Sequence, residues 1–213
     1  AADVAASKGI LVCNANGNSG PLPGTLITPA DADSIIACGA VDSLGAIVSF
    51  SSRGPTFDSR IKPELVAQGS RTYLASAFTL SYGRGSGTSF ATPLLGGCVA
   101  LLWSARPTLN NMQIREALME TANNSGSPNN NYGWGIPNLA LALKYSLITG
   151  DANSDDKINL ADIIFLVNLL FKDGADPFPL KVGDVNCDTV INLLDVIYLV
   201  NFIFKGGPPP CSA

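Results

Sequence analysis

The heptad Gly87-Thr88-Ser89-Phe90-Ala91-Thr92-Pro93 places a serine at the head of a nearly all-apolar run that reaches Ala105. That run reads as a helix buried on all sides, with Pro93 in its tolerated first turn. A helix N-terminus carries unpaired backbone N–H groups and a partial positive charge, both suited to negative charge developing on a bound atom. Two roles for Ser89 stay open on these grounds: a helix cap or a nucleophile. The sequence contains no histidine, so the usual general base for a serine nucleophile is missing from these residues.

A second kind of chemistry is written twice. Asp151, Asn153, Asp155, Asn159 and Asp162 recur 33 residues later as Asp184, Asn186, Asp188, Asn192 and Asp195. Oxygen-bearing side chains at loop positions 1, 3, 5, 9 and 12 wrap a hard cation, with a backbone carbonyl at position 7, here Lys157 or Val190. Three carboxylates in one short loop repel one another without a cation, which favours Ca2+ in two sites over a pair of solvated turns. Mg2+ is the poorer candidate because it demands tighter octahedral geometry. Position 6, where glycine eases the sharp turn, is Asp156 in one copy and Thr189 in the other.

These groups need elements to hold them. Residues 1–8 read as the end of an Ala-rich helix, and Ile10 to Cys13 as a strand buried on both faces. It runs into an Asn- and Gly-rich turn containing Asn18, where open α/β sheets place ligand groups. Further strands are expected at Ser34–Asp42 and within Ile47–Pro55, and a hairpin over residues 71–82 leads to Ser89. Gly96-Gly97 suggests close approach of another backbone. A helix capped by Asn110 or Asn111 follows, and a last one is expected from about Asn138 to Tyr145. After Gly150 each acidic loop continues into an apolar helix; the two pack on each other, present a docking face, or do both.

Composition narrows the function. The apolar fraction of 46% allows a packed core, and a net charge of -4 with scattered basic residues argues against nucleic-acid binding. No uninterrupted apolar run is long enough to span a membrane. Of the five cysteines, Cys98 reads as a small buried hydrophobe, while Cys187 with Cys211, or Cys13 with Cys38, can pair in an exported protein.

The heptad resembles the Gly-Thr-Ser-Met-Ala-x-Pro nucleophile motif of subtilisin-like serine proteases, with Phe90 for Met. Asn18 matches the asparagine of that family's Ala-Gly-Asn-x-Gly segment, Phe50-Ser51-Ser52-Arg53-Gly54-Pro55 its Phe-Ser-Ser-x-Gly-Pro, and Lys62 to Gly69 its Lys-Pro-Asp-x-x-Ala-Pro-Gly. The resemblance implies Ser89 as nucleophile and Asn18 as oxyanion donor, acting on a protein or peptide substrate. It also implies an aspartate and a histidine in upstream segments that this sequence does not contain, so the chain reads as a fragment beginning inside a helix and inactive by itself.

The paired loops and helices resemble dockerin type I repeats. That implies a calcium-stabilised module docking on a cohesin-like partner or packing within the molecule across the short Leu147-Ile148-Thr149 connection. Leu160, Ala161, Leu193 and Leu194 stand where that family's recognition residues often carry hydroxyls.

The expected architecture is therefore α/β: a partial subtilisin-like parallel sheet flanked by helices over 1–148, then a small all-α module over 149–213. A secreted or cell-surface, bacterial-type protein is expected. The other reading is a non-catalytic, calcium-dependent binding or scaffold-attachment protein built on a degenerate subtilase half.

Overall fold

A computed structural model of the protein describes residues 1–76, 80–146 and 148–211. The chain separates into two compact units, Ala1–Leu143 and Lys144–Ala213, a boundary five residues ahead of the one read from sequence. Leu147 of the expected connection and the tip of the expected hairpin, 77–79, lie outside the described residues.

The first unit is built on three parallel strands, β1 (Cys13–Ala15), β2 (Ile36–Val41) and β3 (Leu65–Gln68), in spatial order β1-β2-β3. All six residues of β2 are buried, which is why its sequence shows no alternation of apolar and polar residues. Gly39 is the smallest residue there for a reason: a Cβ would stand 2.9 Å from Pro63 Cγ and 3.0 Å from Val66 Cγ1. Helix α1 (Ala2–Ser7) precedes β1, and a two-stranded antiparallel hairpin, β4 (Thr72–Ala75) with β5 (Tyr82–Gly85), leads into helix α2 (Thr88–Ala105). Helix α3 (Asn111–Glu120) starts with Asn110 and Gln113 capping each other's backbone, and α4 (Leu139–Ala142) is capped by Asn138.

Several expectations are corrected. The first strand begins at Cys13 instead of Ile10. Residues 47–55 form no strand, only a single bridge of Ile47 to Val41 after the turn at Gly45. The third strand of the sheet is Leu65–Gln68, a four-residue run hidden behind Lys62-Pro63. Helix α2 is not buried all round: Thr88, Ala91, Leu95, Val99 and Leu102 are covered, while Leu94 is 46% and Leu101 64% exposed. Nothing lies within 4 Å of a Cβ built on Gly96 or Gly97, so the expected close backbone packing there is absent from the described residues. By length and mean composition alone α2 is long and apolar enough to cross a membrane, although Ser89, Thr92 and Ser104 interrupt its apolar run. Here its buried stripe makes it the covering helix of the sheet.

Burial of charge ties the unit together. Glu64 Oε1 accepts from Lys62 Nζ at 2.6 Å and from Arg115 Nη2 at 3.0 Å, and Oε2 accepts from the Ala37 N–H at 2.7 Å. Lys62 Nζ also donates to the Ala32 carbonyl, and Arg115 Nε to the Ile35 carbonyl. Burial pulls the Lys62 pKa below the usual lysine value, against the opposing attraction of Glu64. Glu64→Gln leaves two cations without their carboxylate in a buried site and lowers stability by about 3 kcal/mol. Urea unfolding followed by tryptophan fluorescence measures it.

The second unit packs α5 (Leu160–Lys172) and α6 (Leu193–Lys205) around Ala152, Ile163, Leu166, Val185, Val196 and Leu199, with a 3-10 turn at Leu180–Gly183 between them. Their mutual packing is observed, and so is an apolar outer face: Leu160, Ile164, Leu193 and Ile197 are about half exposed. Cys187 and Cys211 form a disulfide, whereas Cys13, Cys38 and Cys98 are free, so the alternative Cys13–Cys38 pairing is not made. Cys98 is only partly buried. The cross-link joins residues 24 apart and pins the C-terminal segment, whose Cys211 N–H also reaches the Val185 carbonyl. Cys211→Ser costs about 3 kcal/mol, read by circular dichroism in urea as a lower midpoint for the helical unit.

Candidate active site and paired acidic loops

Ser89 occupies the second residue of α2, exposed, and its hydroxyl has no hydrogen-bond partner among the described residues. Its surroundings are fixed by neighbours. Gly87 caps the helix with φ 152°, a conformation suited to glycine, and its N–H is held by the Gly69 carbonyl at 2.8 Å. Thr88 is fully buried and is the junction: its N–H and Oγ1 donate to Asn18 Oδ1 at 2.9 and 3.1 Å, and its Oγ1 accepts from the Gly17 N–H at 3.3 Å. Gly17 fits because a Cβ there would meet Ser52 Oγ at 2.6 Å.

The latch to Thr88 decides the Asn18 orientation. With Oδ1 taken up by the helix N-terminus, the amide nitrogen Nδ2 keeps both N–H groups for another acceptor. Asn18 comes from the turn after β1 and Ser89 from the start of α2, so two residues 71 positions apart are brought to one edge, beyond the carboxyl end of the sheet. The site sets an exposed hydroxyl at a positive helix terminus near an asparagine whose amide nitrogen is unspent, and it contains no imidazole. The free thiols do not substitute for one: burial, with the neighbouring Cys98 thiol, pushes Cys13 up to about 11, and burial raises Cys38 further.

The two acidic loops have one geometry. Asp151 Oδ1 and Oδ2 accept from the N–H groups of Asp155 and Asp156, as Asp184 does from Asp188 and Thr189. Asn153 and Asp155 each accept from the residue two further on, and Asn186 and Asp188 repeat this, with Val190 N–H donating to Asp188 at 3.0 Å. Asn159 and Asn192 cap α5 and α6. Asp162 and Asp195, both fully buried, reach back to the N–H groups of Asn153 and Asn159, and of Val185, Asn186 and Asn192. Position 6 adopts the left-handed conformation without glycine, at φ 64° in Asp156 and 74° in Thr189.

Among the described residues no three His, Cys, Asp or Glu side chains gather as a metal-binding group. The donor chemistry nonetheless fits a hard cation. Burial raises the Asp162 pKa, and the neighbouring Asp151 and Asp155 carboxylates raise it further. Burial does the same to Asp151, with a smaller contribution from Asp155. Two buried carboxylates, Asp151 and Asp162, held beside the Asp155 carboxylate in one loop are an electrostatic complement of a divalent ion. Lys157 and Val190 stand at the position whose carbonyl would complete each set.

Sequence reading missed two features. The Lys62–Glu64–Arg115 cluster is invisible because Arg115 arrives from α3, 51 residues away from Glu64. A pocket carrying Arg71 and Arg84 depends on the pairing of β4 with β5, which places Tyr73 opposite Arg84.

A parallel α/β sheet with a serine at the head of its covering helix and an asparagine latched beside it is the subtilisin-like class of α/β fold. Residues 1–135 match the subtilase family (Peptidase_S8), and the chain belongs to it. Subtilisin DY of Bacillus licheniformis is 40% identical over 146 residues, covering 68% of this chain and 50% of that protein. The subtilisin-like protease SBT6.1 of Arabidopsis thaliana is 37% identical over 154 residues, 67% of this chain and 15% of the relative. Among solved structures, sphericase superposes with a TM-score of 0.57 at 29% identity over 64% of this chain and 50% of its own. The S41 psychrophilic protease gives 0.56 at 31%, over 64% and 50%. The chain thus spans half or less of the length of these relatives.

Proposed function

We propose that these residues form the nucleophile-bearing half of a subtilisin-like serine endopeptidase, joined to a calcium-binding attachment module. The observation that carries the first part is the hydrogen bond of the Thr88 N–H to Asn18 Oδ1, one residue ahead of Ser89. In this reading Ser89 Oγ attacks the peptide carbonyl, and the Asn18 amide with the Ser89 N–H takes up the oxyanion. Departure of the amine leaves an acyl-enzyme on Ser89, which water then releases. The proton transfers require an imidazole oriented by a carboxylate, both supplied from outside these 213 residues. Coverage of half the length of subtilisin DY supports this.

The second part rests on the repeated loops. Asp151, Asn153, Asp155, Lys157 O, Asn159 and Asp162 hold one Ca2+, and Asp184, Asn186, Asp188, Val190 O, Asn192 and Asp195 another. The metal supplies charge neutralisation that orders the loops. The half-exposed apolar faces of α5 and α6 support a dockerin-like role toward a protein partner, and the Cys187–Cys211 disulfide supports export to an oxidising compartment.

Incubation of casein with the protein extended to include the aspartate and histidine segments tests the enzyme reading. Hydrolysis blocked by a serine-directed sulfonyl fluoride is expected. Absence of histidine from these residues favours one other reading, a non-catalytic calcium-dependent binding protein on a degenerate subtilase half. An extended protein that still lacks histidine, or leaves casein intact, decides for it.

A further inference from the structure

A pocket of about 440 Å³ opens where the chain leaves β2 and β3, lined by Asp42, Gln68, Ser70, Arg71, Tyr73 and Arg84 among others. It lies at the carboxyl ends of parallel strands, where open α/β sheets bind ligands. Its rim is bonded to the turn that carries the nucleophile: the Arg71 N–H donates to Ser86 Oγ at 2.9 Å, and the Gly87 N–H to the Gly69 carbonyl at 2.8 Å. Anything seated in it lies beside the start of α2.

The charges in the pocket are unbalanced. Asp42 spends Oδ1 on the N–H groups of Leu44 and Ala46, both at 2.9 Å. Neither Arg71 nor Arg84 forms an ion pair among the described residues, in a chain whose pI is about 4.7. Two unpaired guanidinium groups in one concavity run against the acidic balance of the whole. The Arg84 guanidinium lies over the Tyr73 ring, 5.7 Å from its centroid, and Tyr73 is stacked in turn on Tyr82. Stacking uses the face of the guanidinium and leaves its N–H edge for a planar, two-oxygen acceptor. Arg71 sits at φ 52°, a left-handed conformation rare for a long side chain, on the same rim.

We propose that this pocket binds the carboxylate of an acidic side chain in the polypeptide substrate, so that the enzyme selects chains carrying glutamate or aspartate a few residues from the scissile bond. The assignment rests on the proteolytic reading above for its consequence, and on the two arginines for its chemistry. Guanidinium pairs also hold free oxyanions such as inorganic phosphate, so the test separates a polypeptide carboxylate from a small anion.

The 213-residue protein is titrated into a fluorescein-labelled hexapeptide containing two glutamates, and into its glutamine counterpart, with anisotropy as the readout at low salt. The glutamate peptide binds about ten-fold tighter, and the preference falls below about three-fold in Arg84→Gln and in Arg71→Gln. Arg60→Gln, remote from the pocket and paired with Asp33 and Asp58, keeps it. Tyr73→Leu removes the stacking platform and also weakens the preference. Circular dichroism of each variant verifies the fold. Equal affinity for the two peptides, or a preference that survives both arginine changes, overturns the proposal. So does inorganic phosphate that displaces the peptide while binding as tightly as the peptide itself, since the site then belongs to a free anion. Peptide binding needs no histidine: selective binding without casein hydrolysis sustains the pocket and removes the protease reading. Hydrolysis with no glutamate preference removes the pocket alone.

Discussion

Ser89→Ala, in a protein that carries the triad aspartate and histidine, is expected to lower kcat about a million-fold, a magnitude known from subtilisin itself, while thermal stability stays unchanged. The loss is large because no acyl-enzyme forms without the hydroxyl. Stability is spared because Ser89 is exposed and bonds to no described side chain. Asn18→Ala behaves differently. It removes an oxyanion donor, for about 10²–10³ in kcat with KM little changed, a magnitude known from subtilisin itself rather than from this chain. It also strips the Thr88 N–H of its acceptor, so stability falls by about 1 kcal/mol. Progress curves on a peptide amide, with melting curves of both variants, check the pair. Retained turnover in Ser89→Ala contradicts the assignment.

Calcium removal has the second large effect, confined to Lys144–Ala213. At a concentration a thousand times the dissociation constant, each bound ion adds about 4 kcal/mol to the folded state. The dissociation constant is expected at about micromolar, since position 6 lacks glycine and position 12 carries the shorter Asp162 or Asp195. Chelation leaves Asp151, Asp162 and Asp195 buried in the folded unit without a counter-ion, and α5 and α6 therefore melt. Both tryptophans, Trp103 and Trp134, lie in the first unit. Helical ellipticity thus falls while tryptophan emission holds. Calorimetry should resolve two binding events, one lost in Asp151→Asn and the other in Asp184→Asn. A flat titration removes the metal assignment.

What could be read in the sequence was what local chemistry writes. Asn110 and Asn138 announce helix starts because their side chains bond to N–H groups three residues on. The fully buried β2 shows as an unbroken apolar run. The loops are legible because they repeat in register. Strand β3 was masked by its brevity and by Lys62-Pro63 ahead of it, and Val48-Ser49-Phe50-Ser51 imitated a strand by alternation while its backbone bonded elsewhere, Phe50 O to Gly20 N. The exposed side of α2 could not be told from a buried one, since composition records apolarity and not what covers it.

The site divides in the same way. The helix-start position of Ser89 left cap and nucleophile open, and only the family resemblance singled it out, as it did Asn18; the contact of Asn18 with Thr88 spans 70 residues and was not legible. Arg84 lies on β5 and Arg71 immediately ahead of β4. Only the register of Tyr73 with Arg84, and not spacing along the chain, brings them into one pocket.

The central claim is that Ser89 is an activatable nucleophile facing an oxyanion donor. A biotinylated fluorophosphonate tests it most directly, applied to the protein extended to include the missing histidine and aspartate, with the adduct mapped by peptide mass spectrometry. The account predicts one adduct, on Ser89, slowed in Asn18→Ala and absent from Ser89→Ala. An extended protein with its histidine in place that forms no adduct, or forms it at another serine, contradicts it.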